Sequence, residues 1–188
     1  MRLKHLLQIN SFFGLFGFLI CFVMPTHVVA NESCSLVLSQ PDLDLGKTQR
    51  SSLNNKNLNV DRIPLKTRAI TLSVFCKDPS VISLSFNGQP SSVDSFRFAS
   101  YGDFKIKVVS IMADGVNANF VSNGKVESYF KPNESLTPYL NGNSIKGKNF
   151  TVQMEVYTSI TLADTDSRAM KVWRGHGYFI VNANKSSI

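Results

Sequence analysis

The chain has 188 residues, 43% of them apolar and 18% charged, with a formal net charge of +7. The basic residues are scattered from Lys47 to Lys185 with no run of five or more like charges, which excludes a nucleic-acid footprint and leaves solubility and a mild attraction to anionic surfaces.

Residues 1–30 read as a secretory signal peptide: Arg2, Lys4 and His5, the apolar run Phe12 to Met24, Pro25, then the small-residue exit Val28-Val29-Ala30. That apolar run, about 13 residues, is shorter than the roughly 20 a bilayer span needs. A lipid anchor at Cys21 is set aside because the large Ile20 precedes it. Cleavage after Ala30 leaves residues 31–188, about 158 residues, enough for one domain with a sizeable core. Losing Arg2 and Lys4 from 20 basic residues, against 13 acidic, sets the remaining net charge at +5.

Cys21 departs with the leader, so Cys34 and Cys76 are an even pair in an oxidising compartment, and a disulfide between them is expected. The bridge closes about 43 residues and is worth about 4 kcal/mol in the chain-entropy account. Cys34 to Leu38 forms a first strand, and Ala69 to Cys76 a second in which Ile70, Leu72, Val74 and Cys76 share one face, so the bridge joins neighbouring strands near their ends.

The same grammar continues. Val81 to Phe86 alternates and is expected to end in an Asn87-Gly88 turn. Phe104 to Ile111 begins as a strand with one wet face, and Asp114-Gly115 and Asn123-Gly124 flank Val116 to Val121 as hairpin turns. Phe150 to Tyr157 is the cleanest alternation, and Gly177 to Ala183 is the last. No stretch beyond residue 30 keeps a helical period over three turns, so the expected fold is an all-β, immunoglobulin-like sandwich.

Catalysis is argued down by inventory. His5 and His27 leave with the signal, so His176, between Gly175 and Gly177, is the one imidazole, and no nucleophile-elbow Gly-x-Ser-x-Gly accompanies it. One histidine and two bridged cysteines cannot assemble a zinc site. Asp164-Thr165-Asp166-Ser167 lacks the later ligands of a calcium loop and reads as a polar turn. No enzyme activity, cofactor or metal is expected.

The pattern Ser33-Cys34-Ser35-Leu36, Leu43-Asp44-Leu45-Gly46-Lys47, Leu53, then Arg68 to Cys76 resembles the first half of chaperone/usher fimbrial (pilin) subunits. The resemblance covers residues 33–86 well and the C-terminal strand loosely. It implies a sandwich missing its last strand, exported through the periplasm to a fimbria on the cell surface and involved in cell adhesion. A periplasmic chaperone fills the vacant groove first, and a neighbouring fimbrial subunit's strand fills it after transfer through an outer-membrane usher. A host or surface receptor is a further partner. Carried over to this sequence, the groove walls are Leu36 and Leu38 on one side and Phe179, Val181 and Ala183 on the other.

Two departures qualify the resemblance. Cleavage after Ala30 leaves Asn31-Glu32-Ser33 before the first cysteine, and three residues span only about 10 Å, too short for a donor strand. Such a subunit accepts a strand without giving one, which fits a fibre tip or an accessory position. At the other end a polar tail, Asn182 to Ile188, follows the last aromatic residues, where the family commonly finishes. The alternative reading is a free-standing secreted sandwich that binds carbohydrate, with Trp173, Tyr139 and Asn141 among its contacts.

Overall fold

The computed structural model describes residues 33–47, 62–165 and 170–184. The leader expected over 1–30, together with Leu53, Asp166 and the end of the tail, lies outside the described residues. Among the described residues the chain forms thirteen strands: β1 (Cys34–Leu38), β2 (Arg62–Pro64), β3 (Arg68–Gly88), β4 (Pro90–Ser92), β5 (Ser95–Phe98), β6 (Gly102–Ala113), β7 (Val116–Ser122), β8 (Lys125–Val126), β9 (Tyr129–Phe130), β10 (Ser135–Leu140), β11 (Asn143–Ser144), β12 (Lys146–Thr161) and β13 (Gly177–Asn184). A short 3-10 turn, Leu162–Thr165, follows β12.

Alternation dictates these strands, because successive side chains leave opposite faces of a pleated ribbon. In β12, Phe150, Val152, Met154, Val156, Thr158 and Ile160 are buried while the residues between them are half-buried or exposed. β12 lies between β3 and β6 and is antiparallel to both. β6 turns into β7, β7 pairs with β10, and β10 pairs back onto β3. This circuit closes a barrel-like sandwich whose core includes Leu72, Ile82, Leu84, Phe96, Phe130, Leu136 and Phe150.

Both expected hairpin turns form. Asp114 and Gly115 have φ of 47° and 84°, and Asn123 and Gly124 have 50° and 76°, the positive pair that a tight twisted hairpin demands and that Asn, Asp and Gly tolerate. Asn141-Gly142, between β10 and β11, adopts the same pair of positive φ values, 49° and 91°.

Three local expectations are corrected. The strands expected over 69–76 and 81–86 are one continuous strand, β3. Asp78 and Pro79 fall between ladders: bonding to the β1 side ends where the Lys77 N–H donates to the Ser33 carbonyl at 3.0 Å, β13 pairing stops at Val81, and β12 shifts register between Gly147 and Asn149. No ladder there requires the N–H that Pro79 lacks, so the chain stays extended through it. The disulfide forms, but Cys76 sits inside β3 rather than at a strand end, directly opposite Cys34 in register. Asn87-Gly88 is not a turn: both residues remain in β3, opposite Tyr178 and Gly177. Here glycine permits close approach, since a Cβ on Gly177 would lie 2.2 Å from the Phe86 ring.

Candidate functional site

β3 carries β12 along one edge, with registered pairs from Arg68 to Val81. Its other edge is shared end to end. β13 covers Val81 to Gly88 and β1 covers Leu72 to Cys76, both antiparallel to β3, so β13 runs from Gly177 towards the start of β1. Among the described residues, no strand pairs with the second edge of β13 or of β1.

The five residues expected to wall a groove all sit on the core side of these strands. Leu36 and Leu38 lie opposite Val74 and Leu72, while Phe179, Val181 and Ala183 lie opposite Phe86, Leu84 and Ile82. Directly opposed residues in an antiparallel pair project to the same face. Those β3 partners are buried, whereas the five are half-buried and pack against the core from its margin. Phe179 meets two core rings, with centroids 5.0 Å from Phe86 and 5.3 Å from Phe130, edge to face in both cases. Apolar surface therefore lies beneath an unpaired strand edge.

The other margins of the sheet are blunted. The strand path ends at β2 and β4, each three residues long and each containing a proline, Pro64 and Pro90. Short, proline-bearing edges resist further pairing. β13 has eight residues, no proline and no charge, with Tyr178-Phe179-Ile180-Val181 at its centre.

The segment following β1 is pinned by its own side chains. Asp44 accepts the N–H of Gly46 at 2.8 Å, which holds Gly46 at φ 82°, and Arg68 Nε donates to the Asp44 carbonyl at 2.8 Å. Leu43 and Leu45 are thereby directed against the core. Ser39 continues the pairing of β1, with its N–H donating to the Thr71 carbonyl and its hydroxyl accepting the Thr71 N–H, each at 2.9 Å.

The remaining candidates do not gather into a catalytic arrangement among the described residues. His176 is exposed and its ring makes no hydrogen bond there. Asp164, expected in a polar turn, lies in the 3-10 turn but is only 3% exposed. Its Oδ1 accepts the N–H groups of Ser100 and Tyr101 at 3.3 and 3.2 Å, and its Oδ2 accepts the N–H and hydroxyl of Thr161 at 3.0 and 3.1 Å. It anchors the Ala99–Tyr101 turn to the end of β12, a role that requires long-range packing and leaves no local sequence signal. Trp173 lines a cleft with Ala99, Ser100 and Asp164, while Tyr139 and Asn141 are at the β10–β11 hairpin and take no part in that cleft.

The shifted carboxylates belong to surface networks. The Lys105 ammonium, 2.5 Å away, together with the Ser92 hydroxyl, holds Asp94 below the usual carboxylate range. Hydrogen bonds from the backbone N–H groups of Asn149 and Lys148 do the same for Asp114.

The fold and its margin define an all-β domain with one long apolar edge left open. No protein-family model matches the chain. No curated protein matches its sequence. Among solved structures it is similar to the P pilus rod subunit PapA, at 13% identity and a TM-score of 0.43, over 81% of this chain and 99% of that one. Likeness at that level has no bearing on function.

Proposed function

We infer that this chain is a non-enzymatic structural subunit, or a tip or accessory component, of a chaperone/usher-assembled fimbria, and that it accepts a strand from another polypeptide along β13. The observation that carries the reading is the contrast among its edges: β2 and β4 are three residues long and carry proline, whereas β13 offers eight uncharged, proline-free residues above half-buried Phe179, Val181 and Ala183. An incoming strand gains main-chain hydrogen bonds from β13 and seats alternate side chains on that apolar floor. The Cys34–Cys76 spacing and the Leu43-Asp44-Leu45-Gly46 motif, which resemble fimbrial subunits, agree with it.

On this reading the chain is exported to the periplasm, held there by a chaperone, passed to an outer-membrane usher and displayed at the cell surface. An uncovered edge of this kind aggregates, so the chaperone serves as a temporary cover. Periplasmic expression with and without a fimbrial chaperone tests the reading: alone, the chain is degraded or aggregates, and with a matching chaperone it is recovered as a one-to-one complex. Equal soluble yield in both cultures, with no complex formed, contradicts it.

A further inference from the structure

β13 presents its unpaired edge without one charged side chain, in a chain whose formal net charge is +7. Lysine on an edge strand is a common bar to pairing with a second copy, because like charges meet across the new ladder. β13 has no such bar.

The strand is also self-complementary. A two-fold axis through Ile180 sets Ile180 against the partner's Ile180, Phe179 against the partner's Val181, Tyr178 against the partner's Asn182, and Gly177 against the partner's Ala183. Directly opposed residues in an antiparallel pair share a face, so Phe179, Val181 and Ala183 of both copies stay on the core side, as they do opposite Phe86, Leu84 and Ile82 of β3. A slip of one residue would turn one copy's core side outward. Phe179 and Val181 are half-buried with apolar surface left to cover, and an aromatic ring beside a β-branched side chain is a favourable cross-strand pair.

On the outer face, Tyr178 already makes the kind of contact that a second copy repeats. Its hydroxyl accepts the side-chain N–H of Asn87 at 2.7 Å, where the two residues stand directly opposite across the β13–β3 ladder. A tyrosine hydroxyl donates as well as accepts, and this one donates to no acceptor among the described residues. In the two-fold register the side-chain carbonyl of the partner's Asn182 is the acceptor, once on each side of the axis.

We propose that, in the absence of a donor strand, two copies of this chain pair through β13 about a two-fold axis at Ile180, giving the strand order β3–β13–β13–β3. The inference rests on the open edge of the strand-acceptor reading and names what occupies that edge before a donor does. An isologous contact closes at two chains. One eight-residue ladder covers less surface than a permanent dimer needs, so the pair forms with rising concentration and yields to a donor strand.

Cysteines report the register. Directly opposed residues hold their Cα atoms roughly 4.5–5.5 Å apart, within reach of a disulfide, and Cys34 and Cys76 are bridged from such positions in the β1–β3 ladder. Ile180→Cys puts two thiols at the axis, whereas Asn182→Cys, on the same face of the same strand, puts them about 14 Å apart. Each variant is expressed in the periplasm with and without a fimbrial chaperone, thiols are blocked at lysis, and soluble and pelleted chains are run on non-reducing gels, with peptide mass spectrometry to place the bond. The expected result is about tenfold more crosslinked dimer for Ile180→Cys than for Asn182→Cys, lost when the chaperone covers the edge. Crosslinking of Ile180→Cys no greater than that of Asn182→Cys overturns the proposal, and the strand-acceptor reading then survives if the chaperone complex forms. Crosslinking specific to Ile180→Cys with no chaperone complex upholds the pair and removes the strand-acceptor reading. If a variant loses the Cys34–Cys76 bond, sedimentation of the unaltered chain decides: a two-chain species supports the pair, and single chains or open-ended growth overturn it.

Discussion

Phe179 stands directly opposite Phe86 across the β13–β3 ladder, its ring meeting that of Phe86 at 67° with centroids 5.0 Å apart. On another side it meets Phe130 at 78° and 5.3 Å, so one side chain of the open-edged strand joins two parts of the core. Replacing it with alanine is expected to cost about 1–3 kcal/mol, part of the full Phe→Ala cost because the ring is only half-buried. Tyr178→Ala, which removes an exposed ring and one hydrogen bond with Asn87, should remain within about 1 kcal/mol of the parent. Denaturant unfolding of the partner-stabilised form measures both; equal losses contradict the role given to Phe179.

Cys34→Ser removes the clasp between the start of β1 and the interior of β3. The bridge closes a long loop, so a loss of about 4 kcal/mol is expected, with a sharp drop in periplasmic yield. Thermal unfolding of the variant under oxidising conditions checks this, and an unchanged midpoint would contradict a structural bridge.

Gly177→Ala places a methyl group 2.2 and 2.5 Å from two Phe86 ring carbons and 2.8 Å from the Asn87 carbonyl. The start of β13 must then move away from β3, at an expected cost of about 1–3 kcal/mol. Calorimetric unfolding of the variant gives the number, and a rise in stability would show that β13 lies further from β3 than described.

Asp114 accepts N–H groups from Asn149 and Lys148 at 2.8 and 3.0 Å, which lowers its pKa from the ordinary 3.8. With the folded value below the unfolded one, its contribution is fully present above the unfolded pKa and is lost as pH falls through the folded pKa. The folded state therefore loses part of its hold on the β6–β7 hairpin in acid, below about pH 4. Asp114→Asn keeps the positive-φ turn but removes the titration. Unfolding measured from neutral pH down into this range should show a shallower acid dependence for the variant, whereas identical slopes would contradict the assignment.

Much of this architecture was legible because it is local. Alternation marked Cys34 to Leu38, Phe150 to Tyr157 and Gly177 to Ala183, and Asp114-Gly115 and Asn123-Gly124 marked turns whose positive φ values need those residues. Cys34 and Cys76, the two cysteines beyond the expected leader, left one pairing, which formed. The unread parts depend on distant partners. Pro79 looks like a break until the ladders on either side are seen to miss it. Asn87-Gly88 looks like a turn until Gly177 is seen packed against Phe86. Short strands such as β4, β9 and β11 are too brief to show a period, and the burial of Asp164 comes from donors more than 60 residues away in sequence, at Ser100 and Tyr101. The five groove residues fall together on the core side of β1 and β13.

Hydrogen exchange along Gly177–Asn184, followed in the folded chain before and after addition of the partner that stabilises it, tests the strand-acceptor account most directly. The account predicts that amides directed away from β3 exchange rapidly in the uncomplemented chain and become strongly protected in the complex, while those bonded to β3 are protected in both. A stable monomer in which both edges of this strand are already protected, with no change when the partner is added, contradicts it.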